Sequence, residues 1–384
     1  MMNIKNMIAV ASLLVASVAN AQSESRETVT FAQVLEPESA ISLYEQGQKQ
    51  SSKAFFRTVS GADLKKGVSF ITDGDSAVIQ LSPLDSVVDG KRQQKLSVPR
   101  NMTLSHAGKS FDVESDEIAL HRRSQALKEA YPEMYGRAHV MQIPANLGAG
   151  EFSLKADASA HDSDRFVLYV LDRNSDISLE VATAASGIAA GEAFQFDAAI
   201  AAEQRASMQG VRAELVAPDG SIYPLKGQRN KGRFSSQSAL NVKAAGRPGE
   251  LWTLRVNAKI RNAAGELVER ITRVAVNVHE TTASLAAVDA DVAGLSLGLS
   301  VAREGRYEIR ALVFGRDYDG EQKPAVLAFQ AQWLKAGDQT LKMAIDQDKL
   351  KASGLSAPYT VKRVKLMDQG RMAVLESRVG EWAM

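Results

Sequence analysis

The acidic turn Asp172-Arg173-Asn174-Ser175-Asp176 places oxygen-bearing side chains at alternate positions. A calcium loop opens this way, because one short loop can then turn several oxygens toward a hard cation. The continuation departs from that pattern. Ile177 stands where an EF-hand has its glycine, and Thr183 where it has its bidentate glutamate. Asp317-Tyr318-Asp319-Gly320-Glu321 is a second acidic turn, and Asp73-Gly74-Asp75 is a shorter third. Aspartate and glycine favour tight turns without any metal, through side-chain to backbone hydrogen bonds. Asp172, Asn174, Asp176, Asp317 and Asp319 are therefore the candidate metal ligands, and at both places the sequence favours the turn.

The other chemistry-bearing residues are scattered. The five histidines are His106, His121, His139, His161 and His279. None belongs to an H-E-x-x-H pair, so the zincin pattern is absent. His161 lies in a polar run with Asp162 and Asp164, which reads first as a solvated loop and second as a metal site. G-x-S-x-G, the P-loop and G-x-G-x-x-G are all missing. With no cysteine there is no disulfide, thiolate ligand or thiol nucleophile. The sequence thus names no catalytic residue and no cofactor, and a triad assembled from distant residues stays open. Lys226 to Arg233 (KGQRNKGR) carries four positive charges. It reads as a solvated hairpin loop, with contact to an anionic glycan as the alternative. The His121-Arg122-Arg123 cluster reads as a wet face. Trp252 and Trp333 fall in phase with apolar neighbours and are expected in cores rather than as sugar platforms. Trp382 is the tryptophan left for an exposed position.

The elements that must hold these residues are mostly strands. Pro37 to Tyr44 predicts a short helix begun at a proline, and Asp116 to Tyr131 a longer one stopped by Pro132. Ala77 to Leu81 predicts a strand. From about residue 138 the apolar period is two. Trp252, Leu254, Val256, Ala258 and Ile260 give successive inward positions. A turn at Asn262 to Gly265 follows, then Val274, Val276 and Val278 return as a hairpin with one buried and one wet face. Leu295 to Val301, Tyr307 to Val313, Leu327 to Trp333 and Leu341 to Ile345 alternate in the same way. Short strands with frequent turns and no long helix between them predict antiparallel layers rather than a parallel-sheet enzyme.

The chain has 384 residues, enough for two or three domains. Its 46 basic and 45 acidic residues nearly cancel, which gives no bulk electrostatic case for nucleic acid. Lys5, the apolar stretch Met7 to Val18 and Ala19-Asn20-Ala21 form an export signal whose cleavage leaves Gln22 first. That stretch is too short for a stable membrane span, and no later segment approaches one. The expected organisation is a signal peptide (1–21), a mixed α/β N-terminal domain ending in strands (22–185), an immunoglobulin-like β-sandwich (186–281) and a C-terminal β-sandwich (282–384).

Phe55 to Pro83, Phe166 to Leu179 and Gly305 to Val374 together resemble an uncharacterised bacterial family, domain of unknown function 4785. The last stretch is the densest, with Gly-Arg-Tyr-Glu at 305–308, Ala-Gln-Trp-Leu at 331–334 and Leu-Met-Asp-Gln-Gly-Arg-Met at 366–372. The resemblance implies exported Gram-negative proteins with tandem β-sandwich domains. It carries no catalytic residue. The resulting expectation is mainly β architecture and a non-catalytic binding or envelope-scaffold protein, periplasmic or secreted, with a protein or glycan partner. A secreted hydrolase or hydrolase accessory with its site in the N-terminal domain, and a carbohydrate-binding module, are the alternatives.

Overall fold

The structure is a computed structural model that describes residues 27–88, 91–93, 98–99, 101–113, 115, 118, 129, 137–230, 233–239, 247 and 249–384. Among these the chain is mainly β. The export signal and the helix expected over Asp116–Tyr131 lie outside the described residues.

Three apolar cores organise the chain. The first lies between two four-stranded sheets. One sheet orders His139–Gln142, Val78–Pro83, Arg165–Leu171 and Ala54–Ser60. The other orders Val68–Thr72, Gly150–Ala156, Met102–His106 and Lys109–Asp112. Alternation decides who points inward: Phe166, Leu168 and Val170 are fully buried, as are Ile79 and Leu81 on the neighbouring strand. A six-residue helix, Gly61–Lys66, is capped by Ser60, and Asp63 returns the bond to the Ser60 backbone. That helix drops Leu64 into the core.

The second core lies between two five-stranded sheets. Its centre is the hairpin Trp252–Arg261 and Leu267–His279, paired antiparallel as its alternation predicts. Trp252, Leu254, Val256 and Ile260 are fully buried there. Strand Ser178–Thr183 precedes the small-residue stretch at 185–191, yet its Leu179 and Val181 belong to this second core. The third core lies between the five-stranded sheet centred on Gly305–Arg316 and the three-stranded sheet Ala283–Asp291, Gly294–Val301 and Gly337–Ala344.

The N-terminal segment does not stay in the first domain. Val29–Val34 adds an edge strand to the third domain by pairing with Gln322–Leu334. Lys49–Ser52 then adds an edge strand to the second by pairing with Ser178–Thr183. The helix expected after Pro37 is absent, and only a turn forms there, with the Ser39 N–H donating to Glu36 O. The segment instead runs extended across the third domain. Arg363 Nη1 donates to Ser42 O at 2.7 Å and Lys365 pairs with Glu45 at 2.6 Å. Contacts to distant partners replace the helical ones.

Trp333 departs from its expected place. It is half-buried, and its indole N–H donates to Glu304 at 3.1 Å. Strand Gln322–Leu334 is apolar on both alternations. Val326 and Ala328 enter the third core, while Phe329 faces the other way and packs on Phe31 at 5.4 Å. A period of two cannot say which set points inward. Trp382 is half-buried against the third core rather than exposed. Trp252→Ala should therefore cost about 3–5 kcal/mol, and Trp333→Ala well under half of that, both read by urea unfolding. Equal losses would mean that Trp333 is core after all.

His279 ends the long strand Leu267–His279 between the second and third domains and is 4% exposed. Its Nδ1 has no hydrogen-bond partner. Burial holds its pKa below the ordinary 6.5, against the pull of a backbone hydrogen bond at Asn277 and of Glu192 and Asp368 toward the charged form. A depressed histidine is neutral when folded, so its stability contribution is present above pH 6.5 and is lost as pH falls below it. Urea midpoints should drop between pH 7.5 and pH 5.5 in the wild type and drop less in His279→Gln. An identical drop in both would exclude His279 as the source.

Candidate functional site

The first acidic turn is a junction between two domains. Asp172 follows strand Arg165–Leu171 and is fully buried. Its carboxylate accepts the N–H groups of Asp73 (2.8 Å) and Gly74 (3.1 Å), from the Asp73-Gly74-Asp75 turn of the same domain. It also accepts Arg270 Nη2 at 2.7 Å, from the second domain. Arg270 is fully buried as well. Its remaining donors reach Ile177 O, Glu269 O and Ser175 Oγ. Burial pushes the Asp172 carboxyl above its ordinary value, against the pull of Arg270 and the two N–H groups.

The neighbours close the network. Asp73 accepts from Ser175 Oγ at 2.7 Å and from Asn262 Nδ2, in the hairpin turn of the second domain, at 3.0 Å. Asn174 Nδ2 donates to Asp75, and Asp176 accepts the Gln204 N–H. A Cβ on Gly74 would sit 2.3 Å from the Ser175 nitrogen, so only glycine lets the two turns approach. Asp172 and Asn174 thus meet the Asp73 turn, both oxygens of Asp172 are engaged, and Asp176 turns to Gln204 instead. Where a cation would sit, a guanidinium sits.

The second turn is simpler. Asp317 accepts the Glu321 N–H at 2.8 Å, and Gly320 takes the left-handed φ of 79° that the turn needs. Asp319 stands at this exposed tip. His161 shares a turn with Asp164, whose carboxylate accepts the His161 N–H, while Asp162 pairs with Lys65 at 2.6 Å. His106 stacks on Phe152, and His121 lies outside the described residues. In the basic run, Gln228–Asn230 pairs with Arg233–Ala239 as a hairpin, and Arg229 donates to Met208 O at 3.1 Å. Among the described residues no three His, Cys, Asp or Glu side chains are placed to hold a metal.

The concave feature lies beside the junction. The outward face of the first domain's sheet and that of the second domain's hairpin enclose adjoining cavities of about 520 and 780 Å³. Phe56, Thr58, Arg255 and Ile271 line both. The Arg273 guanidinium lies 3.9 Å over the Phe56 ring. Glu214, 2% exposed, is bound by Arg255 and Arg212. Burial pushes its carboxyl up, and the two guanidiniums more than offset that, leaving it below the ordinary glutamate value. Asn257 Oδ1 is buried without a hydrogen-bond partner, whereas the Arg57 guanidinium turns to the Phe55 side of its strand and donates to Ser69 O at 2.9 Å.

The sequence reading missed this groove. Two signals pointed to it: an aromatic pair, Phe55-Phe56, whose second ring must face outward, and Ile271 on the hairpin face assigned to water. Arg270 carried a third signal, a charge in phase with Val274 and Val276.

Known proteins match the chain in the following ways. Two family models fit it: the N-terminal domain of the domain of unknown function DUF4785 over residues 20–172, and its C-terminal domain over residues 279–381. The crystal structure of a DUF4785 family protein from Legionella pneumophila superposes with a TM-score of 0.74 at 20% identity, covering 93% of each chain, so the two share a fold. Trypsin-activated alpha-2-macroglobulin from Escherichia coli reaches a TM-score of only 0.21 at 12% identity, over 81% of this chain and 22% of that one. A tandem repeat of a large adhesion protein reaches 0.17 at 12% identity, over 93% and 82%. No curated protein matches the chain.

Removing one partner of a buried pair strands the other's charge, at a cost of about 3–5 kcal/mol. Arg270→Met should cost that much, and Asp172→Leu combined with Arg270→Met should recover most of it, both read by urea unfolding. Calcium at about 100 times a real Kd would add about 2.7 kcal/mol. Millimolar calcium against chelator should therefore leave the melting temperature unchanged. A rise abolished by Asp172→Ala or Asp317→Ala would restore the metal reading.

Proposed function

We propose that this chain, which belongs to the DUF4785 family, is an exported, non-catalytic binding protein of the cell envelope, and that the groove between its first two domains holds the ligand. One observation carries the reading. The groove keeps a buried polar atom without a partner, Asn257 Oδ1, in one cavity, and in the adjoining one a guanidinium, Arg273, that lies over the Phe56 ring. A buried polar atom left unpaired costs free energy, so such atoms mark places where water or a ligand completes the bonding.

The groove's ionisable groups suit binding better than catalysis. General acid–base work favours a group whose pKa lies near the working pH. Glu214, behind the lining, is held low by two guanidiniums, and the charged side chains lining the groove are arginine, lysine and Glu269. Export rests on the N-terminal signal, which places the protein in the periplasm or the medium. Among the described residues no helix is long and apolar enough to cross a membrane. On this reading the second and third domains are immunoglobulin-like sandwiches, and the first is mixed α/β.

Cell fractionation and co-sedimentation test this. The tagged protein should appear in periplasm or medium, starting at Gln22. It should sediment with purified peptidoglycan or lipopolysaccharide without releasing reducing ends. Retention in the cytoplasm, release of reducing ends, or failure to sediment with either material would each overturn the proposal.

A further inference from the structure

We infer that the groove recognises an anionic saccharide, taking its carboxylate or sulfate groups on guanidiniums and its hydroxyls on amide and hydroxyl side chains. The inference rests on the groove being the ligand site.

Three features of the lining narrow the ligand. The first is charge. Arg212, Arg255, Lys259 and Arg273 line the groove with Glu269, and Glu214 sits behind Arg212 and Arg255, a surplus of two positive charges. Glu214 is consumed by Arg212 and Arg255, and Arg273 has no carboxylate within ion-pair distance among the described residues. Burial and the nearby Arg255 press the Arg273 pKa below the ordinary guanidinium value. An anion beside Arg273 relieves that repulsion, and the planar fork of arginine fits carboxylate and sulfate oxygens two at a time.

The second feature is a buried acceptor. Asn257 Oδ1 needs a donor, which a bare anion does not have. A ligand that satisfies Arg273 and Asn257 together carries both negative oxygens and hydroxyls. Gln80, Ser82 and Thr58 extend the polar lining along the first domain's wall. The third feature is apolar. Ile271 and the Phe56 ring offer surface to the C–H face of a sugar ring.

Side chains, rather than strand order, distinguish this ligand from a peptide. Arg165–Leu171 and Trp252–Arg261 are interior strands paired on both edges, while Lys49–Ser52 and Ala54–Ser60 each end a sheet. Strand addition by a peptide is the competing mode at those two edges, and tetraglutamate is the arm that tests it. Along the interior strands recognition falls to side chains. Each cavity has the size of a ligand site, and because the two adjoin, they suit a chain of sugar units rather than one.

Calorimetric titration of the full chain with tetragalacturonate, a heparin tetrasaccharide, neutral maltotetraose and tetraglutamate tests the inference. At least one acidic tetrasaccharide should bind, with affinity falling as salt rises. The carboxylate and sulfate arms tell which anion is preferred. Maltotetraose and tetraglutamate should bind at least about tenfold more weakly. Arg273→Ala and Asn257→Leu should each weaken the acidic sugar by about tenfold or more. Arg273→Lys should recover part of the loss, and Arg303→Ala, in the third domain, should change nothing. Melting curves check that each variant is folded. Equal groove-dependent binding of maltotetraose would overturn the anionic class and leave the groove standing as the site. Preference for tetraglutamate, or binding of neither acidic sugar, would overturn the inference. Acidic-sugar binding indifferent to both Arg273→Ala and Asn257→Leu would overturn the groove itself as the site.

Discussion

Asp172 sits where no water reaches it, and every oxygen lone pair it satisfies depends on a part of the chain distant in sequence. Two of its donors come from the turn after Val68–Thr72 and the third from Arg270 in the second domain. Desolvating both charges is expensive, and attraction between them recovers that cost only with good geometry and further hydrogen bonds. The junction therefore acts through geometry more than through net stability. It accepts one relative placement of the two domains and penalises the others. Apolar contacts follow the same line: Ile71 of the first domain packs on the second core, and Ile271 of the second packs on the first.

The N-terminal segment fixes the third domain to this pair. It contributes an edge strand to the third domain, then one to the second, before entering the first. Where it meets the second domain, the Gln48 N–H donates to Thr183 Oγ1 at 3.0 Å. A Cβ on neighbouring Gly47 would lie 1.5 Å from Thr183 O, so the approach needs glycine. Asn277 and Thr282 add polar ties around the 368–372 turn, to Arg371 O, Met372 O and Asp368. Edge strands invite unwanted pairing, and this segment covers one edge on each of two sheets.

Periodicity in the sequence is strong where one face is apolar and the other polar. Trp252 to Ile260 and Tyr307 to Val313 were legible for that reason, and their inward sets are buried as expected. It failed at Leu327 to Trp333, where both faces are apolar and the choice falls to tertiary contacts. The Pro37 segment failed for a related reason, since distant side chains rather than its own backbone satisfy it. The acidic turns were legible as turns. Their joining was not, because Asp73, Asp172 and Asn262 are brought together only by the folded sheets.

One strand carries both the junction and the groove. In Leu267–His279, Arg270 and Thr272 share the buried alternation with Val268 and Val274. Arg270 is spent on Asp172, and Thr272 Oγ1 donates to Leu179 O at 2.8 Å. The opposite alternation, Ile271 and Arg273, turns to the first domain's Phe56 wall. Successive residues of a strand face opposite sides, and a slip of one position would exchange them. It would put Ile271 against the Asp172 carboxylate and Arg270 against the groove, leaving a buried charge unpaired. The ion pair that aligns the domains therefore also fixes the register that presents Arg273, and the groove keeps its shape for as long as Asp172 keeps its partner.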